Sequence, residues 1–211
     1  MDSPARAQGR TVAVGMKRSG IRSLLACLAA VLSLTRASAG APGFDLHGTA
    51  RAAGHPLLNA VIWLEAPNLP SGTPTGKVVL DQRDLSFSPQ VLAVRVGTTV
   101  DFPNNDRVFH NVFSFRDGKR FDLGMYPVGT LRHVTFDKPG LSRIYCNIHP
   151  NMAAYVLAVE TPYFAVSDRS GDFTIASIVP RRYTYHAWRA GGTELTGTWS
   201  PAGDAPLTVG W

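Results

Sequence analysis

The stretch Gly140-Leu-Ser-Arg-Ile-Tyr-Cys-Asn-Ile-His-Pro-Asn-Met-Ala-Ala-Tyr-Val-Leu-Ala-Val159 decides the fold of this chain. Two runs rich in β-branched, aliphatic and aromatic residues, 142–146 and 154–159, flank a short polar segment that contains a proline. Such runs are typical of strands, and Pro and Asn between them are typical of turns. The stretch therefore predicts a strand, a tight loop and a returning strand, with a cysteine, a histidine and a methionine crowded into the loop.

Short runs of the same kind recur from Phe44 onward, and no sustained helical periodicity interrupts them. Turn sequences such as Val96-Gly97-Thr98 and Ser170-Gly171-Asp172 separate the runs. Many short strands at this spacing predict an all-β fold made of β-sandwiches. The clearest predicted strands are 60–64, 91–96, 98–102, 111–115, 131–136, 142–146, 154–159, 173–175 and 183–188.

One upstream histidine and three residues of the loop form a metal-ligand pattern. His110 is followed, about 36 residues later, by C-x2-H-x2-M at Cys146, His149 and Met152. Two histidines and a cysteine in a trigonal set, with a weak axial methionine, are the ligands of electron-transfer copper sites. We therefore predict one mononuclear copper ion. Met152 is the weakest member of the set, because a methionine beside Ala153 could instead pack in the core.

The joint occurrence of these residues carries the prediction, since each residue alone has an ordinary explanation. A single histidine before a strand is usually a packed or surface residue, and a free cysteine usually behaves as a small apolar side chain. Once Cys27 is removed with the N-terminal segment described below, Cys146 has no partner for an internal disulfide. The histidines outside the motif are expected to be surface residues: His47, His55, His133 and His186.

The motif resembles the small cupredoxins, particularly amicyanin, whose ligand loop has the form C-x2-H-P-x-M. Together with Phe121-Asp-Leu-Gly124 and the Asn-Asp before His110, it also resembles exported plastocyanin-like proteins often labelled methylamine utilization proteins. The resemblance covers about 78–159. It implies a Greek-key cupredoxin sandwich, a type 1 copper site, and hydrogen bonds from Asn111 that hold the Cys146 loop.

Two segments on either side of this region resemble the two ends of one further module. Residues 46–64 and 165–183 resemble the opening and closing halves of carboxypeptidase-regulatory-like β-sandwiches, although Arg182 stands where that pattern has glycine. The predicted organisation is therefore a cupredoxin domain at 77–160, inserted in or flanked by a second small β-sandwich whose parts are 40–70 and 161–211.

The basic charge of the chain is concentrated at its N-terminus. The formal net charge is +6, but six basic residues and one acidic residue precede Gly40, leaving 15 basic and 14 acidic residues in the remainder. Nucleic-acid binding therefore has no electrostatic support. Basic residues, the apolar run 24–34 and the Ala37-Ser38-Ala39 pattern instead predict a signal peptide over 1–39 and export to the periplasm. The apolar run, about eleven residues, is shorter than the ~20 that a membrane span needs, so we expect none in the mature chain.

The favoured function is a non-enzymatic, one-electron carrier between periplasmic redox partners, and the resemblance implies a c-type cytochrome or a dehydrogenase as partner. A multicopper oxidase or nitrite reductase would need H-x-H pairs for further copper ions, and the sequence contains none. A thiol hydrolase with His149 as base would lack its surrounding pattern. A copper-delivery protein using the same residues, or a structural sandwich with copper as a staple, stays open.

Overall fold

The computed structural model describes residues 43–70, 74, 76–201 and 206–211, so the predicted signal peptide lies outside the described residues. The regular structure of the described residues is all strand, which confirms the predicted all-β sandwich fold. They include no helix long and apolar enough to cross a membrane. The strands are β1 Phe44–Ala52, β2 His55–Pro56, β3 Val61–Glu65, β4 Val78–Val79, β5 Asp81–Arg83, β6 Ser86–Ser88, β7 Val91–Arg95, β8 Thr98–Pro103, β9 His110–Ser114, β10 Phe121–Tyr126, β11 Leu131–Phe136, β12 Gly140–Tyr145, β13 Ala153–Val159, β14 Phe164–Val166, β15 Asp172–Ile178, β16 Tyr183–Trp188, β17 Leu195–Trp199 and β18 Leu207–Gly210.

Strands β4 to β13 build the central sandwich. One sheet has the order β10-β9-β12-β13-β7, a second has the order β11-β8-β4, and β5 pairs with β6 in a hairpin. Because successive side chains of a strand point to opposite faces, every second residue enters the core. The core between the sheets contains Phe102 and Phe136 from the smaller sheet and Val112, Ile144 and Val156 from the larger one, all fully buried.

The register of the larger sheet places the predicted metal ligands at one end of this sandwich. Strand β12 pairs antiparallel with β13 from Gly140 opposite Ala158 to Tyr145 opposite Ala153, so residues 146–152 form the connecting loop. Strand β9 joins β12 through the pair Tyr145 and Phe113. Since β9 is antiparallel to β12 and begins at His110, its first residue lies across from that loop.

Strands β1 to β3 and β14 to β18 build a second pair of sheets. Their orders are β15-β1-β18, with β2 on β1, and β14-β3-β16-β17. Ile62, Leu64, Ile175, Ile178 and Tyr183 are buried in the core that these sheets share. Among the described residues, the named strands of this set pair with one another and not with β4 to β13. This pairing is compatible with the insertion inferred from sequence, whose domain boundaries stay a prediction.

A third apolar cluster joins the two sandwiches. Val61 and Trp63 of β3 pack against Val91 of β7 and against Leu157 and Val159 of β13. Strand β3 therefore has both faces covered, one in its own core and one at this junction, which is why four of its five residues are buried. The second sandwich thus covers part of the outer face of the larger central sheet.

Replacing the core residue Phe136 by alanine should lower the free energy of unfolding by about 3–5 kcal/mol, because the whole side chain is buried. The same replacement at Phe115, which is 59% exposed, should cost less than about 1 kcal/mol. Urea denaturation of the metal-free protein measures both values. Equal losses from the two variants would contradict the assignment of core and surface in the central sandwich.

Candidate metal centre

The loop 146–152 is closed by hydrogen bonds between its own backbone groups. Cys146 N donates to Met152 O at 3.3 Å, and Met152 N donates to His149 O at 2.9 Å. These bonds satisfy backbone groups that the proline-containing segment cannot pair in a sheet ladder. They also fix the direction of the loop, so that the Cys146 and His149 side chains turn toward His110.

Three predicted ligand atoms converge at this end of the central sandwich. His110 Nδ1 and His149 Nδ1 are 3.1 Å apart, and Cys146 Sγ lies 3.6 Å from His149 Nδ1 and 3.9 Å from His110 Nδ1. The point equidistant from the three atoms, the circumcentre of that triangle, is about 2.1 Å from each, close to the 2.0–2.3 Å of metal bonds to imidazole and thiolate. The arrangement therefore fits a single metal ion. It is the one group of at least three such side chains found among the described residues.

Most of this site is shielded from water. His110 is 0% exposed and Cys146 5%, whereas His149 is half-buried and its neighbour Pro150 is exposed. Burying a thiolate is unfavourable unless a positive charge lies beside it, and a soft metal ion supplies that charge. The donor set suits copper, and the exposed edge of His149 is the side from which the site can be reached.

Met152 ends the loop and is 1% exposed, within the same apolar cluster as Cys146. Its backbone closes the loop, as described above, and its side chain is part of the core that also contains the cysteine. This location is compatible with a weak axial contact. The assignment of Met152 as the fourth ligand stays a prediction.

His110 has a carboxylate behind it. Its Nε2 lies 2.9 Å from Oδ2 of Asp106, the geometry of an Nε2–H group donating to a carboxylate, which leaves the Nδ1 lone pair free for a metal. The same carboxylate accepts hydrogen bonds from Leu85 N and from Arg107 N, both at 2.7 Å. Asp106 therefore orients the imidazole that would bind the metal.

The charge of Asp106 is secured by these contacts. Burial raises the pKa of its carboxyl group, but the hydrogen bonds from Leu85, His110 and Arg107 outweigh burial and lower the pKa to about 2. The carboxylate is therefore ionised at neutral pH. A negative charge hydrogen-bonded to a ligating imidazole makes the imidazole a stronger donor. The sequence signal for this pair is the four-residue spacing from Asp106 to His110, within the Asn-Asp pattern that precedes this histidine.

A buried polar network supports the loop that carries Asp106. Asn104 is fully buried; its Nδ2 donates to Val108 O at 2.9 Å and to Tyr126 O at 3.2 Å, and its Oδ1 accepts from Asp106 N at 3.1 Å. The Tyr126 hydroxyl in turn accepts from Gln82 Nε2. Burial raises the pKa of Tyr126 to about 12, so the hydroxyl stays protonated. These bonds fix the 104–110 loop relative to the sheet.

The predicted role of Asn111 is wrong. Its Nδ2 donates to Asp122 Oδ1 at 2.8 Å, toward β10, and among the described residues it makes no hydrogen bond to the Cys146 loop, while its buried Oδ1 has no partner there. Asp122 Oδ1 also accepts from Gly124 N at 2.8 Å, at the irregular register of β9 and β10 between Asp122 and Met125. The irregularity brings a carboxylate within reach of Asn111 and accounts for the difference.

Three of the four histidines outside the motif, His47, His55 and His133, are exposed, as the sequence predicts. The fourth is different. His186 is only 19% exposed in its side chain, and its ring stacks on Trp63 with centroids 5.0 Å apart. The surface assignment of His186 is therefore wrong, because Trp63 stacks on its ring and Glu65 and Glu194 contact its two nitrogens.

Comparison with known proteins agrees with this centre. Residues 74–159 match the model of the family of copper binding proteins described as plastocyanin/azurin. A comparison with curated proteins finds no match. Among solved structures, the chain is similar to a purple cupredoxin from Nitrosopumilus maritimus, at 26% identity over 40% of this chain and 100% of that chain, with a TM-score of 0.36.

Two other solved structures show similarities of the same size. One is an amicyanin variant in its reduced state, at 26% identity over 48% of this chain and 99% of that chain, with a TM-score of 0.37. The other is a copper-containing nitrite reductase from Thermus scotoductus SA-01, at 28% identity over 46% of this chain and 25% of that chain, with a TM-score of 0.39. The family match by itself confirms the predicted cupredoxin resemblance for the central segment. The resemblance of the flanking segments to carboxypeptidase-regulatory-like sandwiches stays a prediction.

Asp106→Asn should weaken Cu(II) binding about 10- to 100-fold and raise the reduction potential, because the loss of the negative charge makes His110 a poorer donor to the oxidised ion. Asp101→Asn is the matched control, since Asp101 forms an ion pair with the exposed Lys77 at 3.5 Å and, among the described residues, has no ion pair with the predicted ligands. Competition titrations with a copper chelator and redox titrations measure the two effects. If both variants had the same copper affinity and the same reduction potential, Asp106 would have no influence on the metal centre.

Met152→Leu should keep the thiolate-to-copper absorption and raise the reduction potential, because a weak thioether donor is lost while both histidines and the cysteine remain. A potentiometric titration followed by visible absorption measures both properties. An unchanged reduction potential would show that Met152 only packs in the core and does not bind the metal. Loss of all copper would show that Met152 binds more strongly than a weak axial ligand does.

Proposed function

We propose that residues 74–159 hold one copper ion and that the exported chain carries single electrons between redox partners in the periplasm. The match of this segment to copper binding proteins of the plastocyanin/azurin family supports the general type, a copper-binding electron carrier. The proposal of one bound copper ion and single-electron transfer is supported most strongly by the cluster of two histidines and a cysteine, which is buried except at the edge of His149.

The protein would supply rigidity to the centre. A bound copper ion provides the one-electron change between Cu(I) and Cu(II). The chain holds His110 through the Asp106 carboxylate and holds Cys146 and His149 through the closed loop. Ligands fixed by contacts that do not involve the metal move little when its charge changes. Such a centre exchanges electrons with little rearrangement.

Exposed apolar side chains occur at the end of the central sandwich that carries His149. They belong to the loops at the same end of the central sandwich, and their exposed fractions lie between 42% and 57%. Exposed apolar patches mark interaction sites, and redox partners dock through small, transient interfaces. The patch consists of Leu85, Val108, Phe109, Val128 and Ile148.

We propose a carrier rather than an enzyme because the described part of the chain contains one group of three or more possible metal ligands, which is enough for a single ion. The sequence also lacks the H-x-H pairs with which multicopper enzymes bind further ions. The burial of His110 and Cys146 supports retention of the ion, whereas a delivery protein must expose its ligands to an acceptor.

Ile148→Lys tests the docking surface. Two copies of a carrier that meet at this patch would bring two lysines together, so the self-exchange rate should fall at least tenfold at low salt and recover partly at high salt. NMR line broadening in mixtures of the Cu(I) and Cu(II) forms measures that rate. The absorption spectrum should stay unchanged.

Phe115→Lys is the matched control, because Phe115 is exposed as well, at 59% against 42% for Ile148, but follows the end of β9 that points away from the ligand loop. Its self-exchange rate should equal that of the wild type. Equal loss in both variants would argue against docking at the His149 edge. If no c-type cytochrome or dehydrogenase made by the same cell exchanged electrons with the copper-loaded protein, the carrier proposal would fail.

A further inference from the structure

The three glutamates of the sequence meet in one place. Glu65 ends β3, Glu160 follows β13, and Glu194 precedes β17, and no other glutamate occurs in the 211 residues. All three line a single groove between the two sandwiches. Residues so far apart in the chain, on strand ends of two different sandwiches, reach this groove only through the tertiary fold.

The groove has an aromatic and apolar wall. Trp63 and Trp188 line it from the second sandwich, and Leu141, Leu157 and Val159 line it from the central one. Its volume is about 330 Å³, at the lower end of the range for small-molecule sites. Trp188 packs on Tyr155 with ring centroids 5.2 Å apart, so its ring has a fixed position.

The carboxylates outnumber the cations that face them. His186 lies beside the groove, with Nε2 3.4 Å from Glu65 and Nδ1 3.1 Å from Glu194, and Trp63 Nε1 donates to Glu65 at 3.1 Å. Glu160 has no ion pair or side-chain hydrogen bond among the described residues. Even with a protonated His186, the groove retains net negative charge.

A bare metal ion does not fit this arrangement. The search that finds the cluster of His110, Cys146 and His149 finds no second group in the described part of the chain whose ligand atoms lie within 4.8 Å of one another. The two ring nitrogens of His186 face different glutamates, so one ion could not collect all three side chains. Tryptophan rings beside carboxylates instead suit a cation that carries its own apolar groups.

We propose that this groove binds a small organic cation, with an alkylammonium head among the glutamates and an apolar body against Trp188 and the apolar wall. Trp63, stacked on His186, contributes the edge that donates to Glu65. The site is separate from the metal centre. Gly140, which lines the groove, begins β12, and Cys146 follows the other end of that strand, roughly 20 Å away at about 3.4 Å per residue. The proposal therefore adds a ligand site that electron carriage does not require.

Choline and its neutral carbon isostere, 3,3-dimethylbutan-1-ol, are the probes. Each is titrated into the Cu(I)-loaded full chain while the four tryptophan indole N–H signals are followed by ¹H–¹⁵N NMR. Choline should shift the signals of Trp63 and Trp188 in a saturable way and leave Trp199 and Trp211, which do not line the groove, unchanged. The neutral isostere should bind at least threefold more weakly, because it lacks the charge.

Glu160→Gln is the cleanest variant, because its side chain makes no bond whose loss could disturb the fold. It should weaken choline binding about two- to fivefold, and replacement of all three glutamates by glutamine should weaken it at least tenfold. Asp84→Asn, the same loss of charge on the exposed β5–β6 turn, should have no effect. An unchanged urea midpoint shows that each variant folds.

Three results would overturn the proposal. Equal affinity for choline and the neutral isostere would show that the positive charge contributes nothing and that the groove binds apolar groups only. Equal shifts at all four tryptophans would indicate non-specific binding. The absence of any shift at about 50 mM choline, roughly 50 times the 1 mM dissociation constant of a weak complex, would exclude binding at this groove. Each result leaves the copper absorption unaffected, so failure here is distinguishable from failure of the proposed electron carrier.

Discussion

The approach of Cys146 Sγ to two imidazole nitrogens within 4 Å is the constraint on which the rest of the central sandwich depends. Three ligand atoms at that spacing, nearly without water, form a site of the size and donor chemistry that one soft metal ion fills. The fold meets the requirement with two neighbouring strands: β12 leads into the ligand loop, and β9 begins with His110 opposite it. The apolar core beneath holds both strands at a fixed separation, so the positions of the ligands follow from the sheet.

The polar residues behind the ligands complete that arrangement. Buried polar groups are tolerated when they are hydrogen-bonded, and Asp106 and Asn104 satisfy most of their atoms with backbone groups of the surrounding loops. The network links His110 to the turn after β5 and to β10. The second sandwich supports the same sheet from outside, because Trp63 and Val61 cover Leu157 and Val159. The metal centre is thus held from both sides of the larger sheet.

Much of this arrangement was predictable from the sequence because its signals are local. The Cys146 loop, the glycine turn at Gly97 and the nine predicted strands each have a pattern within a few residues, and each predicted strand corresponds to an observed one whose ends agree to within about three residues. Nine strands observed in the described residues, among them the long β1, were not predicted; β10 is one of these, because Gly124, at φ 65°, interrupts its alternation. The direction of Asn111, the cover over His186 and the convergence of the three glutamates depend on long-range packing, which no local pattern encodes.

The absorption spectrum of the purified protein after addition of one equivalent of Cu(II) tests the central claim most directly. We expect an intense band toward the red end of the visible, from thiolate-to-copper charge transfer, that saturates at one copper ion per chain and is absent from Cys146→Ser. A protein that stays colourless, or one whose band survives in Cys146→Ser, would contradict a copper centre built on Cys146, His110 and His149.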